Sequence, residues 1–104
     1  MVVKMQPQTK GFRIQKRTAR LVFSGDYDGA EVVVRLDVPV GVFITIQDLV
    51  ANNEQMHVFE VFGEKVLEGW NLQDDDGKEI PSTSDGMQQI PLQLANVMIE
   101  QWVE

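Results

Sequence analysis

Three consecutive carboxylates and a glycine, Asp74-Asp75-Asp76-Gly77, are the residues of this chain whose types and spacing most suggest chemistry. Clustered oxygens can hold calcium, or serve as acid and base when their surroundings push their pKa values apart. An EF-hand loop takes ligands at positions 1, 3, 5, 7, 9 and 12 around a glycine at position 6. With Asp74 first, Lys78 falls at position 5 and Glu79 at position 6, so a cation stands where an oxygen is required. As catalytic acids the three would need burial or a partner charge, and a polar loop offers neither. Asp-Gly is by itself a turn signal. His57 is the only imidazole, and its apolar neighbours make it a flank of the core. The Ser and Thr residues have no other base to activate them, and no Gly-rich phosphate loop is present. The reading is non-enzymatic, with no cofactor and no metal.

The elements that would position these residues must come from a chain of 104 residues. That length suits one domain, which buries roughly two-thirds of its unfolded surface and has little room for a deep cofactor cavity. Cysteine is absent, so no disulfide, thiolate nucleophile or Cys-ligated zinc can form. No apolar run approaches the ~20 residues of a membrane helix, and the N-terminus lacks a signal-peptide core, so the chain reads as soluble and cytoplasmic. The net charge of -7 hides an asymmetry. Lys4, Lys10, Arg13, Lys16, Arg17 and Arg20 face no acid within the first twenty residues, whereas all 16 acids lie beyond them. Residues 1–16 are read as a basic, flexible arm on a single domain at 17–104. Its first dozen residues show no sustained period. The arm lacks aromatic interleaving, which disfavours nucleic acid as a partner.

The pattern predicts an α+β fold: an N-terminal β-hairpin followed by a small bundle of three to four helices. Residues 17–23 and 30–36 read as strands, the second with Val32, Val34 and Leu36 on one face. Ser24 to Gly29 form the turn. A lone hairpin is marginal in water, so the helices must cover it. Residues 41–52 fit two readings. Val42, Ile44, Thr45 and Ile46 favour a strand, whereas Val42/Phe43, Ile46, Leu49 and Val50 fit a helical stripe ending at Asn52-Asn53; helix is preferred. From Glu54 to Glu68 the apolar positions Met56, Phe59, Phe62, Val66 and then Trp70 recur at three and four. Gly63 costs this helix about 1 kcal/mol against Ala, which close packing on a neighbour would explain. Ser82-x-x-Asp85 resembles a capping box, a short turn spans Met87 to Ile90, and Pro91 opens a last helix with the stripe Leu94, Ala95, Met98 and Trp102.

Trp70 and Trp102 each stand near a helix end beside acids. Core packing accounts for one of them; interfaces, where Trp is enriched, offer an equal reading for the other. The helices at 54–68 and 91–103 are expected to pack together and leave an apolar surface with Trp102 near its edge. Met56 and Met98 would let it adapt to varied partners.

The order of features adds a resemblance. "AEVVVRLDVPVG" and "EGWNLQDDDGKEIPSTSDGMQQIPLQLANVMIEQW" resemble the tail assembly chaperones of long-tailed (siphovirus-type) bacteriophages. The matching residues are Trp70, Asn71, Leu72, Asp76, Gly77, Ile80, Pro81, Ile90, Pro91 and Trp102. The likeness covers about residues 20 to 104, and the stretch from 69 to 102 carries most of it. It implies that the acidic run is punctuation, reversing the chain between two helices. It also implies a chaperone that engages the tape-measure protein and tail tube subunits in the host cytoplasm and is absent from the mature virion. A longer form made by frameshifting would belong to the same implication. The partner-binding set is then Phe59, Phe62, Val66, Trp70, Met98 and Trp102, with self-association on the same surface. The alternative is a structural tail completion or head–tail connector protein retained in the virion.

Overall fold

The computed structural model describes residues 11–103. Residues 1–10, which hold most of the arm expected to be flexible, lie outside the described residues. Gly11 to Arg17 form neither helix nor strand and are exposed.

The expected hairpin pairs β1 (Thr18–Val22) with β2 (Glu31–Arg35), in antiparallel register from Thr18↔Arg35 to Val22↔Glu31. A 3-10 turn at Gly25–Tyr27 joins them. Val32 and Val34 on β2 are fully buried, whereas Leu36 lies beyond the strand and is exposed.

Residues 40 to 51 are helical, as α1 (Val40–Ala51). The Pro39 carbonyl accepts from the Val42 and Phe43 amides and so starts the helix. Its end is a Schellman motif: the Asn53 amide donates to the Val50 carbonyl and the Glu54 amide to that of Leu49. Asn53 itself takes the left-handed conformation, at φ 58°. Burial of Ile46, with Val42 and Leu49 half-buried beside it, outweighs the strand propensity of the β-branched run. Ile44, which favours a strand by propensity, points to solvent, as do Val40 and Val50.

The next helix is shorter than its stripe suggests. α2 (Gln55–Lys65) stops three residues early, and Leu67–Trp70 form a third strand, β3. The Arg35 amide donates to the Val66 carbonyl at 2.8 Å, and Val34 then pairs with Leu67, Val33 with Gly69 and Val32 with Trp70 across a bulge. The open edge of β2 offers backbone partners that one more helical turn could not match for the sheet. Asn71 locks this register. Its side-chain oxygen accepts from the Glu31 amide at 2.8 Å and its amide group donates to the Gly29 carbonyl at 3.0 Å. The sheet therefore runs β1-β2-β3, with the α1–α2 pair inserted before its last strand.

After the acidic turn comes one helical turn, α3 (Ser84–Met87), and then α4 (Leu92–Val103). The cap of α3 is Thr83 rather than Ser82: its Oγ1 accepts from the Gly86 amide at 3.3 Å. The core joins Val32 and Val34 to Ile46, Val58, Phe62, Val66, Met87, Leu94, Ala95, Met98 and Ile99. Gly63 is required for close approach, as its place in the stripe suggested. A Cβ there would stand 2.6 Å from Ser84 Cα. Gly86 is tighter still, since its Cβ would collide with the Pro81 carbonyl oxygen and lie 3.0 Å from the Trp70 ring. Backbone on the far side leaves no soft route for relief.

Gly86→Ala is therefore expected to lower stability by about 3 kcal/mol, the upper range for overpacking. Gly41→Ala, on α1 with open space around it, should be neutral or stabilising by up to about 1 kcal/mol. Urea denaturation of the two variants checks the pair.

Candidate functional site

The acidic turn is built around one carboxylate. Asp74 Oδ1 accepts from the Asp76 amide at 2.9 Å and from the Lys78 amide at 3.0 Å. The Asp74 amide donates to the Lys78 carbonyl at 2.8 Å, and the Gly77 amide to that of Asp74 at 3.0 Å. Gly77 has φ 79°, which a residue with a Cβ would adopt only under strain. Gln73 and Glu79 bridge across the base. Asp74 is thus consumed in reversing the chain, while Asp75 and Asp76 face solvent. Among the described residues no group of three or more His, Asp and Glu side chains converges on one point. His57 is exposed and stands 4.0 Å from Glu54 one turn earlier.

The two Trp residues are internal clamps. Trp70 on β3 donates its indole N–H to the Ile80 carbonyl at 2.6 Å, tying the two sides of the acidic turn. Trp102 on the last turn of α4 donates to the Arg35 carbonyl at 2.9 Å. Its ring meets Phe43 at 5.7 Å and the edge of Phe62 at 5.8 Å. It therefore joins α4, α1, α2 and the end of β2. Tryptophan buried against its own domain finds an acceptor for its N–H, and both of these do.

Of the six residues expected at a partner surface, Phe62, Val66 and Met98 have 0% exposure and belong to the core. Their helical stripe is real, but at these positions it is enclosed within the core: Phe62 meets the Trp102 ring of α4, and α2 packs against α1 and α3. Trp70 and Trp102 are half-buried and committed as above. Phe59 alone remains at the edge of an open surface.

That surface follows the N-terminal half of α2. On one side of Phe59 lies a recess of about 190 Å³, lined by Val50, Val58 and Ile99 and by Glu54 and Glu100. On the other side Met56, Met87, Ile90 and Leu92 line a shallower groove with Gln55 and Gln88. Met56 is 58% exposed, and Val50 and Leu92 are comparably open. Among the described residues no cation lines either recess. Sequence reasoning included Met56 in the stripe but left Val50, Ile90 and Leu92 out of the set. Leu92 falls outside the buried stripe of α4, and an apolar residue off its helix's buried stripe is the signal that marks it; Val50 fits the stripe of α1 in sequence and carries no such signal.

Asp74→Ala should cost about 1–2 kcal/mol, because two backbone donors lose their acceptor, whereas Asp75→Ala should stay within about 0.5 kcal/mol; thermal melts separate them. Trp102→Ala is expected to destabilise by about 3 kcal/mol or more, as aromatic-to-Ala changes in cores do. Calorimetry on that variant reads the clamp directly.

Comparison with protein-family models, with curated proteins and with solved structures finds no match to this chain.

Proposed function

We propose that this chain is a phage tail assembly chaperone that covers an amphipathic helix of the tape-measure protein and engages tail tube subunits, without enzymatic chemistry. The observation that carries the proposal is the uncovered apolar surface around Phe59, with Met56 and Leu92 standing out from it. A helix with a long apolar stripe aggregates unless that stripe is covered, and a groove between helices is the usual cover. Met56 and Met87 bring unbranched, polarizable side chains that repack around different partner residues. The glutamines at the rim can hydrogen-bond without imposing a charge.

The motif order adds support of a different kind. Trp70, Asn71, Gly77, Ile80 and Pro81 hold β3, the acidic turn and α3 together. The likeness to the chaperones therefore concerns architecture, and the groove supplies the proposed activity. Among the described residues no helix is long and apolar enough to cross a membrane.

The test is Met56→Asp combined with Leu92→Asp. Both side chains are exposed, so stability should change by less than about 1 kcal/mol. Affinity for purified tape-measure fragments should fall about thirtyfold, the effect of removing an interface anchor. Unchanged affinity would place the surface elsewhere. Mass spectrometry of purified particles should show the protein absent; its retention would instead favour a tail completion or connector subunit.

A further inference from the structure

We infer that the basic arm of one copy docks into the acidic-rimmed recess beside Phe59 on a second copy. Phe12 and Ile14 are 90% and 80% exposed, the most open of the large apolar side chains among the described residues. In an extended chain residues two apart share a side, so the pair presents one apolar face with Arg13 on the other. The arm segment within the first twenty residues carries six cations and no acid. The recess lined by Val50, Val58 and Ile99 carries Glu54 and Glu100 and, among the described residues, no cation. Charge and apolar surface are complementary at once. At about 190 Å³ the recess also admits an aromatic ring, since a buried cavity of about 150 Å³ takes up benzene.

The root of the arm decides which copy is reached. The Arg17 carbonyl accepts from the Leu36 amide at 2.8 Å, and Lys16 Nζ lies 2.8 Å from Glu68. These contacts hold the arm beside β3 and the C-terminal end of α2, where Arg35 meets Val66. The recess opens at the other end of α2, at Glu54 and Gln55. Five residues from Arg17 back to Phe12 extend at most about 17 Å. Within one copy they would have to cover about 15 Å along α2, which leaves almost no slack. A second copy has no such constraint. Reciprocal exchange of arms would close a two-fold dimer. Because the recess shares Phe59 and Gln55 with the groove assigned to the partner helix, the docked arm competes with that helix.

The inference does not depend on what the partner is, and its test uses the full chain alone, so its failure leaves the chaperone reading standing. Sedimentation equilibrium across a wide concentration range should show self-association that weakens as salt is raised. Phe12→Asp with Ile14→Asp, at two exposed positions, should weaken it about thirtyfold. Glu54→Lys with Glu100→Lys should weaken it in the same direction from the other side. A wild-type chain that stays monomeric overturns the inference, including one whose arm amides are protected by docking within the same copy. Association that persists unchanged in the Phe12/Ile14 variant overturns it too, because the copies would then meet elsewhere.

Discussion

One backbone hydrogen bond, from the Arg35 amide to the Val66 carbonyl, sets the course of the second half of this protein. It ends α2 and delivers Leu67–Trp70 to the free edge of β2. Once β3 is paired, Trp70 lies across from Val32 and reaches the Ile80 carbonyl. That bond brings Pro81 back toward α3, where only a glycine fits at position 86. A single such bond contributes about 1 kcal/mol net. Its importance is geometric: it selects which side chains can meet.

The helices are secured in the same manner, by short polar links inside apolar packing. Trp102 fills the space between Phe43 and Phe62 while its N–H satisfies a carbonyl at the end of β2. Gly63 lets α2 approach the backbone of Ser84. Both contacts lie toward the C-terminal end of α2. Its N-terminal end has no equivalent neighbour, and there Met56 and Phe59 are left at the surface. Close packing at Gly63 and the exposed Met56 thus sit on one helix, toward opposite ends.

This division suits a docking protein. A partner helix laid against Met56, Phe59 and Leu92 would meet a face backed by rigid structure, so little ordering entropy opposes binding. Surface ion pairs such as Arg20–Glu31 and Arg17–Asp37 hold the opposite face of the sheet and contribute modestly. They also occupy the cations at the root of the arm, leaving Arg13 among the described residues free to meet acids elsewhere.

Periodicity and turn chemistry alone determined the hairpin, α2 and α4, the role of Gly63 and the acidic run as a turn, because each depends on residues near in sequence. They left residues 41–52 open between strand and helix, and the acidic turn, expected between two helices, follows β3 instead. Alternation placed Val32 and Val34 inward, and Asn52-Asn53 marked the end of α1 as a left-handed cap does. Tertiary structure decided the rest. β3 carries no period of its own and forms because β2 had an unpaired edge. The stripe through Phe59, Phe62 and Val66 is continuous in sequence, yet Phe62 and Val66 are enclosed in the core and Phe59 is left at the edge. Burial is a property of what lies opposite, and a one-dimensional pattern records only which face is apolar. For the same reason the two Trp residues, ambiguous as anchors or core, became clamps when carbonyls of Ile80 and Arg35 came within reach of their N–H groups.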